Sequence, residues 1–432
     1  MLDGYCYVVD RKRGDVTYWR CEERGSCGGR LKTKDDVVQG TPSQHSHASD
    51  PARTASLKAV NAIKEKAKSS DEVTSTIIQN CTSDFPLSAA GSLPNKETLS
   101  RMVRRMRSTP DGSILSEELR STIRGENFVL HESEDLVVLS TGRNLQLLAT
   151  KQNWLGDGTF DSAPLGFQLY TIHVMLDETH TVPLVYCLAK QKNQATYDKI
   201  FRILKQERTD LNPTSFTIDY ERAAMNSIVS NFPQTTIYGC LFHFGQCLWR
   251  EIQRCGLQSW YNAPDNALIV KSFFALSFIP ICDVIDAFTS LVSSLDNDTD
   301  EILAPFLTYF ETTWIGVVQR GRRRRPAFDI RIWNSVERTT EGLPRTTNSL
   351  EGWHRGFEQR LAIKHPSVCK LVAKLRKEQS DWELTIEMVM SGVELRKQKK
   401  KYQKLNARIS SLVDKYNAYT TVDFLRAVAH NL

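Results

Sequence analysis

The architecture is set by residues 153–189, which read NWLGDGTFDSAPLGFQLYTIHVMLDETHTVPLVYCLA. Three segments of this stretch, residues 153–160, 167–176 and 182–189, are rich in β-branched and aromatic residues, and such runs favour strands. Only short links join the three segments, so we expect the strands to pair antiparallel. The stretch therefore predicts the start of a sheet built from three successive strands.

Two further strand-like runs follow at residues 215–220 and 235–241. Between and beyond them the pattern changes to helical periodicity, over residues 194–207, 221–229 and 244–254. Strands that are separated by helices are usually added in parallel to an existing sheet. The sequence thus predicts an α/β fold around one mixed sheet.

The composition is that of an ordinary globular protein, because 41% of the 432 residues are apolar and 25% are charged. These proportions exclude collagen-like and wholly disordered chains. The longest apolar stretch, residues 273–282, is too short to cross a bilayer. Residues 1–20 carry charge throughout, so we expect no secretory signal, and the ten cysteines are then free thiols or metal ligands.

The net charge of +6 is unevenly distributed. Residues 319–432 hold 24 basic and 12 acidic residues, whereas acidic residues are in excess before them. The densest cluster is Arg320 with Arg322, Arg323, Arg324 and Arg325, and a second tract extends from Arg396 to Lys404. Such clusters indicate a polyanion site, although a solvated face or a nuclear-import signal would explain them as well.

Four potential zinc ligands lie near the N-terminus: Cys21, Cys27, His45 and His47. Two thiolates and two imidazoles suit tetrahedral Zn²⁺, and a unit of this size has too little core to fold without such a staple. The alternative is coincidence among the cysteines and histidines. A filled set of four protein ligands would be structural and not catalytic.

The residues around these ligands resemble the FLYWCH-type zinc finger over residues 2–47. The resemblance is carried by Gly4-Tyr5, Tyr18-Trp19-Arg20-Cys21, Cys27, Gly29-Arg30-Leu31 and His45-Ser46-His47. It implies a small β domain that binds DNA or protein, with Arg20, Arg30 and Lys32 as candidate phosphate contacts. The family has a further strand upstream of the Gly-Tyr pair, so we expect an N-terminally truncated finger.

Three carboxylates, Asp157, Asp219 and Glu351, lie where the first strand, the fourth strand and a late helix would meet. Converging carboxylates favour hard divalent cations, and two Mg²⁺ ions could support phosphodiester chemistry. Each residue also has a structural explanation. Asp157 could lie in an Asp-Gly turn, Asp219 could cap the next helix, and Glu351 could form a capping box with Asn348.

The same region resembles the MULE (Mutator-like element) transposase domain over roughly residues 150–360. The matching positions include Asp157, Thr159-Phe160, QLYTI at 168–172, PLVY at 183–186, ATY at 195–197, Asp219, Ala223-Ala224, CLFHF at 240–244 and NSLEGWH at 348–354. The resemblance implies an RNase H-like fold, interrupted by a helical insertion, with a DDE triad at Asp157, Asp219 and Glu351 that binds Mg²⁺ or Mn²⁺.

Four further residues are expected near that triad. The family's C-x-x-H pair falls on Cys240 and His243, which could equally be buried structural residues. His354 and Arg355 lie three and four residues after Glu351, on the same face of the predicted helix. Arg355 would be either an ion-pair partner of Glu351 or a phosphate contact.

The resemblances together imply the following order of domains. A FLYWCH-type finger (1–50) and a helical connector (51–149) precede the first part of an RNase H-like core (150–256), a mainly helical insertion that carries the Arg322–325 cluster (257–340), a catalytic helix (341–366) and a basic helical tail (367–432). The implied function is DNA transposition in the nucleus by a homo-oligomer on element ends, with cleavage and strand transfer. The alternatives are a domesticated, non-catalytic DNA-binding regulator and a protein-interaction scaffold.

Overall fold

The chain folds as two units, Met1–Gly112 and Ser113–Leu432, in a computed structural model. The structure describes residues 1–23, 25–35, 37–70, 72–107, 115–177, 179–395 and 400–432. Of the second basic tract predicted from the sequence, Arg396, Lys397 and Lys399 lie outside the described residues.

The first unit begins with a four-stranded antiparallel sheet whose strands follow one another in chain order. The strands are β1 (Tyr7–Arg13), β2 (Val16–Cys21), β3 (Arg30–Lys34) and β4 (Val37–Val38). Gly14 lies in the turn between β1 and β2 with a φ of +52°, a conformation that favours glycine. The predicted small β-rich region is confirmed.

Three helices complete the first unit: α1 (Pro51–Ser69), α2 (Thr74–Thr82) and α3 (Lys96–Arg107), with a 3₁₀ segment at Leu87–Ser92. Apolar residues at helical spacing on these helices bury one another in a separate core, made of Val60, Ile63, Ala67, Ile77, Ile78, Leu99 and Val103. Helices α1, α2 and α3 therefore form a packed three-helix bundle, where the sequence suggested only a connector.

The second unit is built on a seven-stranded mixed sheet in the order β11-β10-β7-β8-β9-β6-β5. Its strands are β5 (Val129–Glu132), β6 (Leu136–Leu139), β7 (Asn153–Thr159), β8 (Gln168–Met175), β9 (Thr181–Ala189), β10 (Ser215–Ile218) and β11 (Thr236–Gly239). Strands β7, β8 and β9 pair antiparallel, whereas β10 is parallel to both β7 and β11. The predicted mixed sheet and its strand directions are confirmed.

Two of these strands differ from the sequence prediction, because β5 and β6 lie within the predicted helical connector of residues 51–149. Strand β6 is buried along its whole length and pairs antiparallel with the edge of β9. A four-residue apolar run shows no alternation, so periodicity alone does not distinguish such a strand from a buried helical turn.

Helices cover the sheet and form a second core beside it. The helices next to the sheet strands in sequence are α4 (Gly142–Thr150), α5 (Gln194–Glu207), α6 (Arg222–Asn231) and α7 (Leu241–Arg254). The predicted insertion contains α8 (Gln258–Tyr261), α9 (Pro264–Ala275), α10 (Val284–Ser293), α11 (Asn297–Phe310), the hairpin β12 (Val318–Gln319) and β13 (Arg322–Arg323), α12 (Ile330–Trp333) and α13 (Val336–Thr340).

Four helices end the chain: α14 (Asn348–Leu361), α15 (Val368–Met390), α16 (Lys400–Asp414) and α17 (Thr421–Ala429). Leu371 and Leu375 of α15 pack in one cluster with Tyr186 of the sheet, while Phe424 of α17 packs with Phe273 of the insertion. The helical C-terminal part is thus integrated into the second unit. None of the helices that the structure describes is long and apolar enough to cross a membrane.

A substitution of Phe216 on β10 tests the packing of the predicted sheet. Its ring is fully buried and contacts Trp154 and Phe201 edge to face, with centroids 5.8 and 6.1 Å away. We expect Phe216→Ala to lower the free energy of unfolding of the second unit by about 3–5 kcal/mol, because it leaves a cavity. Urea denaturation, monitored by tryptophan fluorescence, measures the free energy of unfolding. Leu165→Ala, at a residue 82% exposed, is the control and should change stability by less than about 0.5 kcal/mol.

Candidate metal centres

The four predicted zinc ligands come together in the first unit. Cys21 Sγ lies 3.2 Å from His47 Nε2, and Cys27 Sγ lies 3.2 Å from His45 Nδ1. One ligand atom from each of the four residues lies within 4.8 Å of all the others. Two sulfur and two nitrogen donors at this separation match the ligand set that Zn²⁺ prefers.

Aromatic residues of β1 and the segment before it hold one of the histidines. Tyr5 stacks on His45 with ring centroids 3.7 Å apart, and the Tyr7 hydroxyl lies 2.8 Å from His45 Nε2. A Cβ on Gly29 would come within 2.5 Å of the same imidazole, so this position has room only for glycine. His45 is therefore oriented with Nδ1 towards Cys27, while Tyr7 is the partner of Nε2. A histidine that binds a metal usually has such a hydrogen-bond partner on its other ring nitrogen.

The two thiols differ in their surroundings. Burial raises the pKa of Cys21. Desolvation also acts to raise the pKa of Cys27, but hydrogen bonds from the backbone of Ser46 and Gly29 outweigh it and lower this pKa to about 6. A thiolate is the form that binds zinc, so Cys27 is available as a ligand at neutral pH.

The basic residues predicted to contact phosphate in this unit lie on neighbouring strands. Arg20 of β2 and Arg30 of β3 are paired across the sheet, and each has a guanidinium nitrogen 3.6 Å from Asp10. Lys32 is exposed on β3. Arg20, Arg30 and Lys32 therefore form a basic patch on the two inner strands of the sheet, in which one carboxylate lies between two arginines.

The three predicted acidic residues of the second unit lie on adjoining elements. Asp157 lies within β7 and is 8% exposed. Thr217 of β10 pairs with Leu155 of β7, so Asp219, two residues beyond Thr217, reaches the level of Asp157. Glu351 lies in the first turn of α14, and this helix packs against β7.

The structural explanations offered for these carboxylates do not hold. Asp157 lies in a paired strand and not in a turn, although its Oδ1 accepts a hydrogen bond from the Gly158 N–H at 2.9 Å. The residue before α6 is Glu221, so Asp219 is not its N-cap. Helix α14 follows Thr347 without a side-chain cap, so Asn348 and Glu351 do not form a capping box.

The surroundings of Asp157, Asp219 and Glu351, called the cleft below, impose an electrostatic cost on Asp157. Burial raises the pKa of Asp157 to about 7, and the nearby charge of Asp219 adds to the shift. The Gly158 N–H and His243 oppose it, and Glu351 contributes in the same direction as Asp219. A divalent cation would favour the ionised form, so the oxygen donors and the charge of this cleft fit Mg²⁺ or Mn²⁺.

Cys240 and His243 link the sheet to α14. Cys240 follows β11, and its Sγ accepts hydrogen bonds from both the N–H and the hydroxyl of Thr347 at 3.2 Å. His243 Nε2 lies 3.6 Å from Glu351 Oε1. Burial acts to lower the pKa of His243, but Cys240, Asp157 and Asp219 outweigh it and raise this pKa to about 9. Cys240 and the carboxylates therefore favour the protonated, cationic form of His243.

His354 and Arg355 have different environments. His354 is 7% exposed, with Nε2 3.9 Å from Asp157 Oδ2 and 3.4 Å from the Thr171 hydroxyl. Burial lowers the pKa of His354 to about 4, so this imidazole is neutral. Arg355 is exposed, and its guanidinium lies 3.8 Å from Glu351. His354 therefore faces the cleft, whereas Arg355 reaches into solvent.

Sequence reasoning did not identify Thr171, His173 or Thr347. Thr171 pairs with Asp157 across β7 and β8 and lies 3.1 Å from the buried His173 Nε2. The alternation of Thr171 and His173 on β8 was the available signal, because residues two apart share a face of a strand. Thr347 had no such signal, since its partner Cys240 is distant in sequence.

The arginine cluster lies on the β12–β13 hairpin and just after it. Arg323 is directed inward, where its guanidinium donates to the Gly316 carbonyl and lies 3.3 Å from Glu311. Gly316 has a φ of +95°, and a Cβ there would come within 1.9 Å of the Arg324 carbonyl. Exposed arginines that remain at the hairpin are Arg320, Arg322, Arg324 and Arg325.

Comparison with protein families gives two matches. Residues 1–47 match the FLYWCH zinc finger domain, and residues 153–246 match the MULE transposase domain. The chain therefore contains a zinc finger of the FLYWCH type and a transposase domain of the MULE type. Together they support a transposase-derived DNA-binding protein, and the Cys/His cluster suggests zinc binding. No curated protein matches the chain.

Only part of the candidate site in the second unit lies within the range that matches the MULE transposase domain. Asp157, Asp219, Cys240 and His243 lie inside the MULE match, whereas Glu351, with His354 and Arg355, lies beyond its end. The assignment of Glu351 to the candidate site is therefore supported by the packing of α14 against β7 and not by the family match.

The Cys/His cluster predicts one zinc ion per chain. We expect Cys21→Ser and His47→Ala to lower the zinc content of the purified protein to near zero, because three ligands bind much more weakly than four. Elemental analysis after dialysis measures the zinc. Cys81→Ser, on α2 and outside the cluster, should retain the metal. Full zinc content in both ligand variants would contradict the assignment.

The raised pKa of Asp157 predicts a pH-dependent loss of stability. Since its pKa rises from 3.8 to about 7, the folded protein binds more protons than the unfolded chain between these values, and stability falls as the pH rises. Without divalent ions at pH 8, Asp157→Asn should therefore be more stable than the unmodified protein, by on the order of a few kcal/mol. The difference should vanish near pH 4. Urea denaturation across this pH range measures it.

Asp161→Asn provides the control for this series, because Asp161 is exposed four residues further along the chain. It should show no such pH dependence. Addition of Mg²⁺ at pH 8 should stabilise the unmodified protein and the Asp161 variant more than Asp157→Asn. If Asp157→Asn is less stable than the unmodified protein at pH 8 without divalent ions, the electrostatic cost described for Asp157 is refuted.

Proposed function

We propose that this protein is a DNA transposase of the Mutator-like class, which cleaves phosphodiester bonds at element ends and joins the ends to target DNA. One observation supports the proposal: Asp157, Asp219 and Glu351 lie on the neighbouring elements β7, the end of β10 and α14, where the charges of Asp219 and Glu351 act on Asp157. The raised pKa of Asp157 supports it, because shifted carboxylate pKa values are typical of functional sites.

In this proposal Asp157 and Asp219 hold the metal ions, and Glu351 completes the ligand set. Mg²⁺ or Mn²⁺, when bound, supplies the charge that activates the attacking oxygen and stabilises the leaving one. Water first attacks the phosphorus at the element end, which releases a 3′-hydroxyl. That hydroxyl then attacks a target phosphodiester, so one P–O bond forms as another breaks and no covalent enzyme intermediate arises.

Neighbouring side chains have supporting roles in the proposal. His243 carries a positive charge beside Glu351 and balances part of the negative charge of the cleft. His354 is neutral and limits the movement of Asp157 without adding charge. Arg355 is exposed next to Glu351 and is free to reach a phosphate. In the proposal these groups position the carboxylates and the phosphate and neutralise part of their negative charge. Positioning and electrostatic stabilisation account for most of the catalysis in reactions of this type.

DNA contacts outside the cleft are assigned to basic residues at the surface, of which Arg20 is half-buried and the others are exposed. In the finger these are Arg20, Arg30 and Lys32, and at the hairpin Arg322, Arg324 and Arg325, whereas Arg323 supports the hairpin from within. The two matched domains fit a nuclear protein, and we propose nuclear localisation and assembly as a homo-oligomer on DNA ends.

The domain division follows from the same proposal. Residues 150–256, with β5 and β6 added before them, form the first part of the core. Residues 257–340 form the insertion, residues 341–366 the catalytic helix, and residues 367–432 the basic tail.

The second candidate is a domesticated DNA-binding regulator that does not cleave DNA. It is favoured by the separation of the three carboxylates. Within the described part of the chain, the finger provides the only group of three or more ligand residues whose donor atoms all lie within 4.8 Å of one another. A regulator would need the finger and its DNA contacts but not a closed metal site in the second unit.

A nuclease assay separates the two candidates. The purified full-length protein is incubated with labelled duplex DNA and Mg²⁺ or Mn²⁺, and we expect nicking and strand transfer. Asp157→Asn and Glu351→Gln should each reduce the rate by at least about a hundredfold, because each removes a metal ligand.

Two matched variants control for the loss of charge. Asp161→Asn follows the same strand, and Glu358→Gln lies two turns after Glu351 on α14. Both should retain the activity of the unmodified protein. Absence of nicking in the unmodified protein, with intact DNA binding, would favour the regulator.

A further inference from the structure

The third helix of the N-terminal bundle, α3, has two opposite faces. Leu99 and Val103 are buried in the core of the bundle. On the other side Arg101, Arg104 and Arg105 are exposed, and their spacing of three and four residues puts them on one face. Helix α3 holds five basic residues and one acidic residue among its twelve. Packing thus fixes the helix and leaves an arginine face towards solvent.

We propose that this face, Arg101, Arg104 and Arg105, is a second binding site for duplex DNA, separate from the zinc finger. An α-helix fits the major groove of B-form DNA, and arginine contacts both phosphates and the guanine edge there. The proposal rests on the DNA-binding part of the proposed function and not on its chemistry. The link between α2 and α3, residues 83–95, is longer than in a helix-turn-helix, so the docking does not use that motif.

The ion pairs that the structure describes in the bundle involve both α1 and α3. Helix α1 also carries basic residues, but Arg53 donates to Glu22 at 2.8 Å and Lys66 lies 3.2 Å from Glu72. On α3 Arg101 lies 3.5 Å from Glu97, and both side chains are mostly exposed. An exposed pair of this kind contributes less than about 1 kcal/mol, so a phosphate can replace Glu97 at little cost.

Contacts within the first unit connect the bundle to the finger. The Asp50 N–H donates to the Gly4 carbonyl at 3.0 Å, and the Asp50 side chain caps α1. The guanidinium of Arg53 on α1 donates to Glu22, the residue after Cys21. Finger and bundle are therefore held together by hydrogen bonds, so DNA bound by the finger lies close to a bundle of fixed orientation.

A membrane surface is a less suitable partner for the same helix. Basic amphipathic helices bind membranes by inserting their apolar face into the lipid. Here that face is occupied, because Leu99 and Val103 are 1% and 0% exposed. Only the charged side of α3 is available, and this suits a rigid polyanion.

The test is the salt dependence of DNA binding by the full-length protein in EDTA, where no cleavage occurs. The triple variant Arg101→Gln, Arg104→Gln and Arg105→Gln should reduce the slope of log K against log[salt] by about 2–3, since each lost phosphate contact changes it by about 0.9. Its Kd for a mixed-sequence DNA duplex should rise at least about tenfold at 0.1 M salt. Zinc content and helical circular dichroism should stay unchanged.

The matched control is Lys58→Gln with Lys64→Gln on α1, which should leave the slope nearly unchanged. An equal fall in both variants would mean diffuse attraction and would overturn the proposal. An RNA duplex provides the second arm, because its major groove is too narrow for a helix. The triple variant should lose less affinity for this RNA than for DNA, because only general attraction to phosphate is lost, and an equal loss on RNA and DNA would also overturn the groove assignment. If the triple variant weakens DNA binding as expected but the unmodified protein does not nick DNA, only the proposed chemistry is rejected.

Discussion

The candidate site of the second unit depends on the placement of Asp157, an acidic residue in a buried strand beside other carboxylates. Burial and Asp219 raise its pKa to about 7, so the charged form of this carboxyl group is energetically unfavourable in the folded chain. A strand chosen for stability alone would carry an apolar residue there, as the neighbouring Leu155 does. Such a cost persists where a site needs it, since functional residues commonly reduce stability.

The surrounding structure keeps the cleft in place through a few buried contacts. Arg338 of α13 is 1% exposed, and its guanidinium donates to the carbonyls of Gly239 and Arg345. The Leu241 N–H donates to the same Arg345 carbonyl at 2.9 Å, and Cys240 accepts from Thr347. These bonds connect the end of β11 to the start of α14 across a hundred residues of sequence. The orientation of Glu351 is thus fixed by the chain that precedes its helix.

The sequence predicted those parts of the fold in which local pattern and tertiary role agree. Strands β7 to β11 were predicted because their β-branched and aromatic runs are bounded by clear helical or turn signals. Strand β6 was missed because a short, fully buried run has no alternation. The three-helix bundle was underestimated because loop segments with Gly, Ser and Pro obscured the shared core of Ile63, Ile77 and Val103. The pairs Thr171–His354 and Thr347–Cys240 join distant residues, and no local pattern encodes them.

Charge was the feature for which sequence counts were least informative. The excess of basic residues after position 318 suggested a broad polyanion surface, but several of those residues are used within the fold. Arg360 donates to Glu378, Arg323 donates to Gly316, and Arg338 is buried. A guanidinium that satisfies a carboxylate or carbonyl inside the protein releases no counterions when DNA binds. In the second unit the hairpin arginines Arg320, Arg322, Arg324 and Arg325 remain exposed, so they are the residues of the basic cluster to which the proposed DNA contacts are assigned.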